Sequence, residues 1–156
     1  IRIDSLFFNA DGTIKKVTPT LRGVGLTDAT KEIQIDRYST KSDNGVSIDF
    51  IDTTNRFLGW KTIFTEVNGW VQYNSTDFGK KKIKSISVKT VSPASGVLQI
   101  RLHNAAGPVI AEIKIPAGNE WQIVKAPVSG SKPGVQNLFI FSKDNRPVEV
   151  DWIRFE

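Results

Sequence analysis

Tryptophan is the residue type in this chain best suited to chemistry by contact. There are four in 156 residues, and three follow turn residues: Trp60 after Leu58-Gly59, Trp70 after Asn68-Gly69, and Trp121 after Gly118-Asn119-Glu120. An indole at a loop edge offers a flat apolar face beside polar neighbours. The CH face of a pyranose ring stacks on such a surface while its equatorial hydroxyls take Asn or Glu, so the arrangement suits a sugar. A turn-adjacent tryptophan can equally cap a core, and the residues alone leave both readings open.

Other chemistry finds little material. The single histidine, His103, falls in phase with Gln99 and Arg101 on the polar face of a strand and reads as a surface residue. Without it no Ser-His-Asp arrangement can be assembled, and no Gly-rich phosphate loop or paired-His metal motif occurs. Zero Cys excludes thiolate catalysis and cysteine zinc sites but leaves the compartment undecided. Glu149 and Asp151 lie two apart on one strand face. A pair of carboxylates is the minimum for glycoside hydrolysis, yet any chain with 16 acids contains such a pair, so bridging a metal or lining a groove is the better assignment.

The net charge of +5 raises nucleic acid as a partner, but the one basic run, Lys80-Lys81-Lys82 after Phe78-Gly79, reads as a solvated loop with too few phosphate contacts. No run of 18 apolar residues spans a membrane, and the opening Ile1-Arg2-Ile3-Asp4 is not a signal peptide. With no Met at all, the chain is expected to be a segment of a larger exported product.

Positioning these residues falls to strands. Apolar residues alternate with period two: Val46, Ile48, Phe50; Ile86, Val88; Leu98, Ile100, Leu102; Ala111, Ile113, Ile115; then 138–141 and 148–155. Turn clusters such as Asp52-Thr53-Thr54-Asn55 and Pro116-Ala117-Gly118-Asn119 separate them at roughly ten-residue spacing, which predicts an all-β chain, an antiparallel β-sandwich of jelly-roll type. Leu6-Phe7-Phe8, Asn9-Ala10-Asp11-Gly12 and Thr13-Ile14 read as a hairpin, followed by an extended connector to Gly25. Residues 1–30 are therefore expected to be a tail and linker packed on the flank of a module spanning 31–156.

Four stretches resemble family 6 carbohydrate-binding modules. They are Ile33-Gln34-Ile35-Asp36-Arg37-Tyr38-Ser39, Asn68-Gly69-Trp70-Val71-Gln72-Tyr73-Asn74 running to Asp77-Phe78-Gly79, Gly118-Asn119-Glu120-Trp121-Gln122, and Glu149-Val150-Asp151-Trp152-Ile153-Arg154-Phe155. In addition, Ser5 to Ile14 with Pro19-Thr20 and Gly23-Val24-Gly25 looks like the segment leaving the catalytic propeller of a family 43 glycoside hydrolase.

The resemblance implies a non-catalytic, monomeric module of a secreted, periplasmic or cell-surface bacterial enzyme, holding a catalytic domain in the same chain on xylan, arabinoxylan or a related polysaccharide. It implies that Trp70 and Trp121 sandwich one sugar ring. Glu149 stands where the family has a sugar-binding Asn, and a carboxylate accepts but does not donate at neutral pH. A structural Ca²⁺ is implied at Gln34, Asp36 and Asp151, an all-oxygen set suited to that ion. The alternatives are an accessory sandwich that has lost sugar binding and only buttresses the catalytic domain, and an autonomous glycosidase using Glu149.

Overall fold

A computed structural model describes residues 3–156, and the alternating runs form its strands. In chain order these are β1 Thr27–Asp28, β2 Ile33–Gln34, β3 Thr40–Lys41, β4 Val46–Phe50, β5 Trp60–Phe64, β6 Trp70–Asp77, β7 Ser85–Ser92, β8 Gly96–Leu102, β9 Val109–Ile115, β10 Gly118–Pro127, β11 Val135–Ser142 and β12 Val148–Phe155. The described residues contain no α-helix; one 3-10 turn, Arg56–Leu58, lies between β4 and β5.

Two six-stranded sheets result. The first runs β1-β6-β11-β8-β9 with β3 also on β6, and the second β10-β7-β12-β5-β4 with β2 also on β12. Pairing is antiparallel except between β1 and β6. Consecutive strands β5 and β6 belong to different sheets, as a jelly roll demands, and this decides which tryptophans can meet.

The inward residues of each strand make the core. Phe64, Tyr73, Phe78 and Phe155 are among the largest fully buried side chains, and Phe78 meets Phe155 edge to face at 5.0 Å. Burying each such side chain contributes roughly 1.5–3 kcal/mol. Tyr73 also crosses between layers, its hydroxyl lying 3.0 Å from the carbonyl of Gln34 and 2.6 Å from that of Ile35. At one end of the sandwich the loops after β3 and β5 touch backbone to backbone. A Cβ on Gly69 would sit 2.7 Å from the Gly45 carbonyl oxygen, and Gly45 itself has φ +75°, so this approach needs glycine at both positions.

Two bulges matter for function. In β12 the register shifts between Val150 and Trp152, and in β10 between Gly118 and Gln122. Each takes residues out of the regular ladder and re-aims them, Asp151 in the first case and Asn119, Glu120 and Trp121 in the second.

The N-terminal hairpin forms as the turn residues require. Phe8 bridges Ile14, Asn9 N–H donates to the Thr13 carbonyl at 2.8 Å, and Gly12 N–H donates to the Asn9 carbonyl at 3.0 Å. Behind it, the connector is tied to the sandwich by the Arg22 N–H on the Tyr38 carbonyl, 3.2 Å. Leu6, Phe7, Phe8 and Ile14 stay more than half exposed. Ile1 and Arg2, the first residues of the tail segment, lie outside the described residues.

Candidate functional site

The bulge in β10 carries Trp121 over the outer face of the second sheet, where its ring lies 5.9 Å from the ammonium of Lys89 on β7. Trp121 lines an open groove of about 420 Å³ together with Asp49, Phe50, Ile51, Asp52, Thr53, Leu58 and Lys61. The rest of the lining comes from the end of the β4–β5 ladder and the loop joining these strands. There Phe50 and Trp60 are register partners whose rings stack at 3.9 Å and 28°, and the Arg56 guanidinium lies 5.0 Å from the Phe50 centroid.

Two ion pairs underlie this side of the sheet, both anchored on β12. Lys61 Nζ donates to Glu149 Oε2 at 2.8 Å across the β5–β12 pairing. Lys89 Nζ sits 2.9 Å from Asp151 Oδ2 on the β7 side. Glu149 and Asp151 therefore pair with different lysines, one on each strand that flanks β12.

Of the three residues expected to hold sugar, the structure brings Trp121 and, through Lys61, Glu149 to one groove. Trp70 is elsewhere, and the expected Trp70–Trp121 sandwich is corrected. Trp70 opens β6 in the first sheet, whose inward residues are Val71 and Tyr73, so its indole projects from the other outer face. It packs there on Phe139 at 5.5 Å and Phe141 at 6.2 Å, with the Arg101 guanidinium 5.0 Å from the Phe141 centroid.

Phe50, Leu58 and Lys61 are groove residues that sequence reasoning passed over, as was Lys89 beside the Trp121 ring. The available signal was aromatic: Phe50 and Trp60 flank one long turn at positions that must pair if β4 and β5 form a hairpin.

The expected calcium ligands lie around β2 and β12. Asp36 and Asp151 are near enough to interact: burial pushes the Asp36 carboxyl above its usual range, its own N–H and Arg37 oppose the rise, and the Asp151 charge adds to it. Among the described residues no Lys or Arg closes on Asp36 within ion-pair distance, whereas Asp151 has Lys89. No three His, Cys, Asp or Glu converge among the described residues. Gln34 lines a small cleft with Tyr73 and Arg37. Asp36, half-buried beside Asp151 and without a paired cation, is a group that a hard, oxygen-ligated ion would suit, whereas the cleft that Gln34 lines includes neither Asp36 nor Asp151.

The model of the carbohydrate binding module family 6 matches residues 37–156. This chain belongs to that family. Membership makes it a non-catalytic module and removes the autonomous-glycosidase reading of Glu149. Its relatives include the arabinoxylan arabinofuranohydrolases of Paenibacillus polymyxa, 20% identical over 88% of the chain, and Bacillus subtilis, 24% identical over 90%. The chain spans 22% and 28% of the length of these relatives. Among solved structures, a family 6 module of Clostridium stercorarium in complex with cellobiose superposes with a TM-score of 0.74 at 21% identity, covering 85% of this chain and 97% of that one. The Bacillus subtilis family 43 arabinoxylan arabinofuranohydrolase in complex with cellotetraose gives 0.75 at 18%, covering 97% of this chain and 33% of that one. At such identities the likeness establishes the fold of the module, a jelly-roll sandwich.

Proposed function

We propose that this module binds β-linked plant polysaccharide, xylan or arabinoxylan first, in the groove lined by Trp121 and Phe50, and thereby holds a glycoside hydrolase on its substrate. The observation that carries this is the placement of an indole and one ring of a stacked aromatic pair in one open groove whose lining also holds Asp49, Asp52 and Lys61. That combination serves the two faces of a pyranose. The names of the curated relatives support arabinoxylan as the polymer. Tethering adds affinity through effective concentration rather than chemistry. Because such polymers lie outside the cell, the module works there.

Seating on a catalytic domain is supported by the exposed apolar side chains of the hairpin, Leu6, Phe7, Phe8 and Ile14, which the sandwich leaves uncovered. A structural Ca²⁺ held by Asp36, Asp151 and Gln34 belongs to the same proposal. The test is affinity electrophoresis of the chain in gels containing arabinoxylan, xylan or cellulose derivatives, with and without EDTA. Retardation by xylans that Trp121→Ala abolishes supports the reading. Mobility unchanged by every polysaccharide overturns it in favour of the accessory sandwich.

A further inference from the structure

We propose that the Lys61–Glu149 ion pair is the element of the groove that reads the sugar, two neighbouring hydroxyls of one pyranose bridging it, with Lys61 the specificity-determining donor. The inference deepens the carbohydrate-binding reading and rests on it. Glu149 alone cannot donate, and Lys61 alone cannot accept. Joined at 2.8 Å, they present both functions side by side, with Lys61 in the lining of the groove and Glu149 held against it. Adjacent equatorial hydroxyls of a pyranose are themselves about one hydrogen-bond length apart. One can donate to the carboxylate while the next accepts from the ammonium, and both bonds are charge-assisted.

The pair has capacity to spare. Among the described residues the Lys61 ammonium has no hydrogen-bond partner besides Glu149 Oε2, and the Glu149 carboxylate none besides Lys61, leaving ammonium protons and one carboxylate oxygen free. The side chains are 15% and 28% exposed, enough to be reached and little enough to be held in place. The cross-strand partner of Lys61 on β4, Asp49, also lines the groove but makes no ion pair with it. The second pair, Lys89–Asp151, offers less, since the Asp151 side chain is only 7% exposed.

The ligand this arrangement selects is an unsubstituted vicinal diol. A sugar whose hydroxyl pair carries an acyl or glycosyl group loses one bond and meets a steric block, so the groove should read bare stretches of a decorated backbone.

Calorimetry with xylotriose, O-acetylated xylotriose and cellotetraose tests this on the wild type, Lys61→Met, Glu149→Gln, the double variant and Trp121→Ala, with melting temperatures alongside. Each single substitution should weaken binding of the unsubstituted sugars tenfold or more. The double variant should be no weaker than the weaker single, because the two groups act as one unit. The wild type should discriminate against the acetylated sugar, and Lys61→Met should lose that discrimination. Affinity of Lys61→Met within twofold of wild type, or losses that multiply in the double variant, overturns the proposal and makes the pair a cross-strand staple. Should Lys61→Met not fold, Lys61→Gln, which keeps a neutral donor, is read the same way and should bind between wild type and Glu149→Gln. A wild type that binds none of the sugars, or a Trp121→Ala variant that binds as wild type, instead brings down the groove assignment and this inference with it.

Discussion

Phe50 and Trp60 face each other across the β4–β5 ladder with 3.9 Å between ring centroids; Phe50 lines the groove and Trp60 is 43% exposed. Neither ring belongs to the core. Phe50→Ala should therefore strip an aromatic ring from the groove lining and free the indole of Trp60. The aromatic pair is worth about 0.5–1.5 kcal/mol, so the stability loss should stay in that range while affinity for xylo-oligosaccharides falls by more. Chemical denaturation and calorimetry on one variant separate the two; a stability loss with intact affinity places the sugar elsewhere.

Trp121 and Trp70 offer a matched comparison, one over the groove and one on the opposite outer face. Trp121→Ala should weaken binding by about 2 kcal/mol or more, a central contact's share. Trp70→Ala should leave affinity in this groove unchanged and instead cost stability, roughly 1–3 kcal/mol, since it strips the cover from Phe139 and Phe141. Equal affinity losses in both variants would mean a ligand surface on each sheet.

Strict alternation made β4, β8 and β9 legible, because one face of each is apolar and the other polar. β10 was not, since it is an edge strand whose outward Ile123 is 63% exposed and whose first turn is bulged. The site was half legible for the same physical reason. Turn-adjacent tryptophans announce loop edges, but which surface each serves depends on the sheet its strand joins. Trp60 and Trp70 are ten residues apart and belong to different layers. The Lys61–Glu149 pair joins residues 88 apart, and no local pattern encodes it.

Tyr73 tests what holds β2 against the first sheet. Its hydroxyl is the buried donor near the carbonyls of Gln34 and Ile35. Tyr73→Phe keeps the ring and deletes the donor, so the protein should lose about 1–3 kcal/mol, the cost of leaving a buried acceptor unsatisfied. Sugar affinity should not change. Urea titration of the variant checks the first expectation; a loss under about 0.5 kcal/mol would mean that water reaches these carbonyls.

The Asp36 carboxyl is pushed above its ordinary value of 3.8, first by burial and then by Asp151, against the pull of its own N–H and of Arg37. The sign follows from linkage. Below 3.8 both folded and unfolded chains are protonated and Asp36 has no effect. As pH rises, the unfolded chain ionises first, so folding loses stability across the window from 3.8 to the raised folded value, and the loss persists above it. Asp36→Asn removes that loss. In EDTA the variant should melt above the wild type at pH 7 and level with it below pH 3.8. A calcium ion on Asp36, Asp151 and Gln34 reverses the order at pH 7. The wild type should gain about 2.7 kcal/mol at a calcium concentration one hundred times the Kd, and Asp36→Asn much less. Melting curves at both pH values, with EDTA and with calcium, decide it. If calcium raises both melting temperatures equally, Asp36 is not a ligand, and if Asp36→Asn is the less stable protein in EDTA at pH 7, its carboxylate has a compensating partner.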